Sequence, residues 1–355
     1  MTLKIARRGQ VPPFIVMDVM QAAAAREQAG EAVLHLEVGQ PSTGAPTAVL
    51  AAAKAALDAD KMGYTLALGV PELRSAIADH YHDWYQLSPG AERIAVTTGS
   101  SSGFTLAFLA AFEAGDRVAL ASPGYPAYRN ILTALGIEVV DLLTGPEDRF
   151  QPTPALLAAL PQPIDGLIIA SPANPTGTMI AAAEMAALVD YCEQQGIRLI
   201  SDEIYHGISF GAPAVSALAF SDNVIVINSF SKYFSMTGWR LGWMVLPADL
   251  VRPVECLAQN LFISAPTLSQ LAAVAAFGAA EELDQNVVRY ARNRAILLND
   301  LPAAGLTDLA PADGAFYIYA DVSAYTDDSA AFCRQMLRQI GIACTPGTDF
   351  DPRRG

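Results

Sequence analysis

VIVINSFSKYFSMTGWRLGWMVL, residues 224–246, sets two short apolar, β-branched runs on either side of a polar segment that carries Lys232 and Arg240. Runs like 224–228 and 242–246 recur upstream as IAVTT (94–98), RVALA (117–121), IEVVDLL (137–143), GLIIA (166–170) and IRLIS (197–201). Continuous apolar runs of this length mark strands buried on both faces. Helix-like stretches such as SGFTLAFLAAFEAG and AAAEMAALVDYCEQQG separate most of them. The alternation predicts an α/β fold, a mostly parallel seven-stranded sheet sandwiched by helices. Upstream, PTAVLAAAKAALDA and PELRSAIADHYHDWY have helical periodicity, the second opening with proline at a helix-start position. Beyond Pro247 come long helical segments over about 249–300, a strand-like DGAFYIYADVS (313–323) and a helix over about 327–340. These predict a smaller α+β domain. The expected division is an N-terminal segment 1–45 joining that domain, a large domain 46–247, and a C-terminal part 248–355.

The composition excludes several classes of function. The chain has 355 residues, 52% hydrophobic and 16% charged, which suits a large core. Net charge is −14, and no run of cations exceeds the pairs Arg7-Arg8 and Arg353-Arg354. Phosphate backbones are bound by clustered cations, so no nucleic-acid partner is expected. The start, MTLKIARRGQVPPF, has no apolar run of signal-peptide length. The most apolar later stretch, 271–280, is far short of the ~20 residues that span a bilayer. Cys192, Cys256, Cys333 and Cys344 form no CxxC pair, and His35, His80, His82 and His206 form no zinc pattern with them. The expectation is a reduced, cytoplasmic, metal-free protein with no membrane contact.

In open α/β sheets, ligands bind beyond the carboxyl ends of the strands. Gly99, Ser100, Ser101, Ser102 and Gly103 follow the run 94–98 and open into a helix. Small residues at a helix N-terminus leave backbone N–H groups free for an anion. No GK[ST] or GxGxxG accompanies them, so neither a P-loop nor a dinucleotide fingerprint fits. Tyr125 follows the run 117–121, Asn174 the run 166–170, Asp202 and Tyr205 the run 197–201, and Lys232 the run 224–228. Each alone suits a structural role: a serine-rich helix cap, an amphipathic tyrosine, a capping aspartate, a surface arginine at 240. Lys232 stands apart, as the only lysine after Lys61 in a chain that otherwise uses arginine. An amine forms an imine only when neutral, and burial or a nearby cation lowers its pKa to that end. A guanidinium stays protonated, so arginine cannot replace it. An anion cradle, an aromatic ring, an amide, a carboxylate with a phenol, and an amine together fit a cofactor with a phosphate, an aldehyde and a basic ring nitrogen. That cofactor is pyridoxal 5′-phosphate.

The chain resembles the fold-type I pyridoxal-phosphate enzymes, specifically the class I/II aminotransferases related to aspartate aminotransferase, from about Val38 to Asp349. The motifs are VGQPSTGAP, GYTLALGVPELR, TTGSSSGF, SPGYPAY, SPANPTG, SDEIYHG and SFSKYFSMTGWRLGW, in order. The resemblance implies Lys232 as the Schiff-base lysine and proton shuttle. It implies Ser229, Arg240, Ser100 and Ser101 on the phosphate, beside Gly99. Asp202 would pair with the ring nitrogen, Asn174 and Tyr205 would bond the ring oxygen, and Tyr125 would stack on the ring. Tyr64 matches a tyrosine that reaches the neighbouring subunit's phosphate, which implies a homodimer with active sites at the subunit interface. Gly39, with Asn174, would meet the substrate.

The implied reaction is a ping-pong amino transfer between an L-amino acid and a 2-oxo acid, the acceptor commonly being 2-oxoglutarate. The alternatives are a C–S β-lyase on the same fold, or a pyridoxal-phosphate-binding protein with impaired catalysis. One departure bears on the second. The family's arginine for the substrate carboxylate would lie beyond Gly355, since Arg353 and Arg354 in FDPRRG precede that position. The expectation is that the natural chain continues, and that without the continuation a small-domain strand stays unpaired. The segment Gly314, Ala315, Phe316, Tyr317 and the VPPF stretch near Pro12 are expected at the entrance, leaning towards an uncharged substrate side chain.

Overall fold

The computed structural model describes residues 3–60 and 62–355. Among the described residues nine strands are formed: β1 (Leu34–His35), β2 (Ile94–Thr97), β3 (Arg117–Ser122), β4 (Glu138–Leu143), β5 (Gly166–Ala170), β6 (Arg198–Asp202), β7 (Ile225–Ser229), β8 (Gly242–Val245) and β9 (Ile342–Ala343). Seven make one sheet in the order β2-β8-β7-β6-β5-β3-β4. All neighbours are parallel except at β8, which runs antiparallel to both β2 and β7. Each of the seven apolar runs is thus a strand, and most bounds lie within a residue of the sequence reading.

The continuous apolar runs are explained by burial on both faces. Leu167 and Ile169 of β5 enter one core while Ile168 enters the other. Leu199 and Ile200 of β6, and Val226 and Ile227 of β7, divide in the same way. Helices Thr47–Asp58, Pro71–Tyr85 and Ala182–Gln195 cover the first face, and Ser100–Ala111, Pro126–Leu135 and Ala248–Leu261 cover the second. Among the described residues no helix is long and apolar enough to cross a membrane.

The N-terminal residues meet the C-terminal ones in a second, two-stranded parallel sheet, with Leu34 opposite Ile342 and His35 opposite Ala343. Ala23 of helix Ile15–Gln28 and Leu337 of helix Ser329–Ile340 pack with Ala343. Residues 313–323 correct the sequence reading, for they form no strand. Only single bridges join Ser209 to Gly314 and Leu309 to Ala320. Ala312 and Ala315 have φ of +52° and +58°, which breaks the extended path, and the backbone is tied instead to three separate loops.

The topology brings the site together. β2, β3, β5, β6 and β7 all end on one edge of the sheet. Because β8 is reversed, it starts on that edge, with Gly242 opposite both Thr97 and Ser229. The whole connection 230–241, with Lys232 and Arg240, therefore lies where the other strands end. A Cβ on Gly242 would stand 2.8 Å from the Asn228 oxygen, 2.9 Å from the Ser100 nitrogen and 3.0 Å from the Gly99 carbonyl carbon. These are backbone atoms of three segments, none free to swing aside. Gly242→Ala is therefore expected to cost about 1–3 kcal/mol of stability, read as a lower urea midpoint. An unchanged midpoint would mean that the three segments yield.

Candidate active site

The cradle is built from the helix upward. Gly99 caps helix Ser100–Ala111 at φ +82°, a left-handed backbone that glycine adopts without strain. The hydroxyl of Thr98 donates to Ser102 Oγ at 2.9 Å, and Ser102 donates to the Gly99 carbonyl at 2.9 Å, so the turn is braced from within. Ser100 is half-buried and Ser101 exposed at the first, unpaired turn. Arg240 lies over this turn; a Cβ on Gly99 would sit 2.4 Å from Arg240 Nη2. Arg240 itself holds a left-handed φ of +49° and donates from Nη1 to the Thr237 carbonyl at 2.9 Å. A helix N-terminus under a guanidinium is a site for a dianion. The Ser229 hydroxyl is buried and turned inward, 2.9 Å from Ser231 Oγ and 3.2 Å from the Leu241 carbonyl, with a single proton to give to one of them.

Lys232 Nζ donates to the Gly39 carbonyl at 2.6 Å and lies 5.5 Å from the Tyr205 ring centroid. Burial, aided by the charge of Arg240 and opposed by Asp202, lowers its pKa from 10.5 to about 8. Asp202 is buried at the end of β6. It accepts from the Tyr128 hydroxyl and from the Ile204 N–H at 3.0 Å. Burial raises its pKa to about 6 against those two donors and Lys232. The Tyr205 hydroxyl is hydrogen-bonded to that of Tyr317. Tyr125 packs edge-on against Tyr128 (5.2 Å) and Phe14 (5.7 Å), and shares a small pocket of about 30 Å³ with Asn174. Asn174 Oδ1 is buried with no partner.

Most of the sequence-predicted residues thus converge: Lys232, Gly39, Asp202, Tyr205, Tyr125, Asn174, and Arg240 over Gly99 and Ser100. Tyr64 does not join them. It is 85% exposed and makes no hydrogen bond to any of them. Three participants escaped the sequence reading. Tyr128 lies one helical turn beyond Tyr125, and that spacing was its signal. Tyr317 was read only as lining. His206 ties two site loops: its Nε2 donates to the Ser171 carbonyl at 3.0 Å, and its Nδ1 accepts from Tyr85 at 2.6 Å. Burial holds it neutral, with a pKa down to about 3.

The residues present fit pyridoxal 5′-phosphate on this chain's own features. A Cβ on Gly99 would fill the cradle, the Asn174 amide has an unpartnered oxygen beside Tyr125, and the buried carboxylate of Asp202 lies within electrostatic reach of the Lys232 amine. No group of three or more His, Cys, Asp or Glu among the described residues is placed to hold a metal.

Comparison with known proteins agrees. The family described as aminotransferase class I and II matches residues 31–353. Valine–pyruvate aminotransferase of Mycobacterium tuberculosis is 54% identical over 359 residues, covering 100% of this chain and 92% of that one. A crystal structure of an aminotransferase from M. tuberculosis superposes with a TM-score of 0.98 at 54% identity, over 100% of this chain and 92% of that one. Aspartate aminotransferase from Thermus thermophilus with maleate gives 0.94 at 29% identity, over 98% and 93%. Enzymes of this family depend in general on pyridoxal phosphate and are typically dimeric. The chain belongs to the class I and II aminotransferases, of the aspartate aminotransferase fold, and is an enzyme that moves an amino group between an amino acid and a 2-oxo acid.

Proposed function

We propose that this chain binds pyridoxal 5′-phosphate covalently through Lys232 and uses it to transaminate an amino acid with an uncharged, apolar side chain. The observation that carries this is the amine of Lys232, held on a backbone carbonyl beside a buried carboxylate, with its pKa brought down to about 8. At neutral pH roughly a tenth of such an amine is unprotonated, against less than a thousandth for a solvated lysine. When bound, the cofactor supplies an aldehyde that captures the amino group and a protonated ring that withdraws electrons.

The chain's own residues do the rest. Gly99, Ser100 and Ser101 amides with Arg240 would hold the phosphate, and Ser229 would join by turning its hydroxyl outward. Asp202, aimed by Tyr128 and the Ile204 N–H, would hold the ring nitrogen's proton. Asn174 and Tyr205 would donate to the ring oxygen, with Tyr125 on the ring face. Once displaced, Lys232 Nζ would take the substrate's Cα proton and return it two bonds away, to the carbon on the far side of the nitrogen, the movement of a general base turned acid. Gly39 and Asn174 would face the substrate. Phe14 against Tyr125 and Phe316 against Tyr205 set apolar rings beside the site, and the relative in M. tuberculosis is named for valine and pyruvate. The division into 1–45, 46–247 and 248–355 belongs to the same proposal, with the reaction held between the parts.

A homodimer with shared sites completes it. The Tyr64 loop is tied on either side of its exposed tyrosine: Thr267 donates to the Gly63 carbonyl at 2.7 Å, and Gln270 to Thr65 Oγ1 at 3.0 Å. Leu66 on that loop, and Leu261, Phe262 and Ile263 at and just past the end of helix Ala248–Leu261, are exposed apolar surface that suits a second copy. An open cleft of about 550 Å³ between Gln40, Thr43, Trp239, Arg240 and Pro266 would receive the partner's loop.

Borohydride should fix the cofactor's mass to the peptide carrying Lys232, and Lys232→Ala should lose both that label and turnover. A labelled, active Lys232→Ala protein would overturn the assignment. In cofactor-free protein, Lys232→Met should raise stability by about 1–3 kcal/mol at pH 7. A lysine whose folded pKa is lowered costs stability below that value and regains it as pH rises from about 8 to 10.5. The advantage of Lys232→Met should therefore vanish across that window in urea titrations, and a constant gap would refute the burial argument. For shared sites, mixed Lys232→Ala and Tyr64→Ala chains should recover up to about a quarter of native turnover through hybrid dimers. Mixtures no better than either parent would place both residues in one protomer's site.

A further inference from the structure

Tyr205 and Tyr317 stand 112 positions apart in the chain, and their hydroxyls meet. The rings lie edge to face at 5.5 Å, and Phe316 meets Tyr205 edge-on at 5.6 Å. Gly39 makes room for the contact, since a Cβ there would lie 1.8 Å from the Tyr317 hydroxyl. The carbonyl of the same glycine holds Lys232 Nζ. The phenol pair and the amine therefore rest on one residue.

The segment that delivers Tyr317 is pinned without help from the pair. Gly314 N–H donates to the Gly177 carbonyl (2.9 Å), Ala315 N–H to Ile208 (2.8 Å), and Phe210 N–H to Asp313 (2.7 Å). Ile208 and Phe210 lie just beyond Tyr205, so the two phenols are mounted on strands of backbone bonded to each other. Among the described residues neither hydroxyl has a further protein partner. A phenol has one proton and two lone pairs. In the pair one proton is shared and the other is left for a third atom.

We propose that Tyr317 is a positioning residue for the transamination site: its hydroxyl donates to Tyr205 Oη, which orients and polarises Tyr205 so that its own proton meets the ring oxygen of the bound cofactor. This rests on the reading of Tyr205 as a donor to that oxygen. Hydrogen bonds in series strengthen one another, so loss of the first weakens the second without removing it.

The test is a pH titration of the visible absorbance of the cofactor-loaded enzyme. A donor to an ionised oxygen lowers its pKa, so removing one raises the midpoint. Tyr205→Phe should raise it by about one unit, and Tyr317→Phe by about half a unit. The double variant should titrate with Tyr205→Phe, because Tyr317 acts only through Tyr205. Cofactor affinity by equilibrium dialysis should fall in the same order. If Tyr205→Phe shifts the midpoint but Tyr317→Phe does not, or if Tyr317→Phe adds its full shift to Tyr205→Phe, the proposal falls alone. If Tyr205→Phe itself has no effect, the reading beneath it falls and takes the proposal with it.

Discussion

Three backbones converge at Gly242, and the arrangement of the sheet edge depends on that contact. The reversed strand β8 must enter between β2 and β7 directly against the Ser100 nitrogen, the Gly99 carbonyl carbon and the Asn228 oxygen. Only a residue without a side chain fits there. The consequence reaches Arg240, two residues earlier, which is forced into a left-handed turn and thrown across the helix N-terminus. It reaches Lys232 too, because the connection from β7 has to fold back within the same edge to reach Gly242. The cradle and the amine are placed by one strand reversal.

Electrostatics at this edge are balanced by burial more than by pairing. Asp202 and Lys232 attract each other, yet burial moves both towards neutrality, to about 6 and about 8. Behind them, Glu203 is raised to about 7 by burial despite donors from Ala217, Ser216 and Ser201. Its neighbour His206 is lowered to about 3. A carboxyl with a raised pKa loses stability as pH rises from its unfolded value of 4.5 towards 7. An imidazole with a lowered pKa gains stability as pH rises from about 3 towards 6.5. Between about 4.5 and 6.5 the two slopes oppose, so this layer has little net pH dependence where either residue alone would have much.

The sheet was legible because its signal is local. Strands buried on both faces need unbroken apolar runs, and 166–170, 197–201 and 224–228 have them. The site was legible for a related reason: strand ends share an edge, so residues such as Asn174, Asp202 and Lys232 could be gathered without knowing strand order. What could not be read was set by long-range geometry. The stretch DGAFYIYADVS has strand-like composition, but a strand also needs a partner, and positive φ at Ala312 and Ala315 sends its backbone to Gly177 and Ile208 instead. Helical spacing sets Tyr128 beside Tyr125 but does not show its bond to Asp202, and the inward turn of Ser229 depends on a side-chain direction that no periodicity records. Tyr64 was matched by motif, and its exposure follows from a loop held by Thr267 and Gln270, two hundred residues away.

The same distinction explains why a lysine stands at 232 in a chain that otherwise uses arginine. Its ammonium donates to one carbonyl, at Gly39, and shares its surroundings with aromatic rings and with Arg240. Burial and the charge of Arg240 outweigh the attraction of Asp202, so the setting is a poor one for a cation. A guanidinium in this place would stay protonated and would need partners for five donors where one carbonyl is on offer. Burial that destabilises the ammonium is what makes the free amine accessible near neutral pH. On the proposed role of Lys232, the cost falls on folding and the benefit on chemistry.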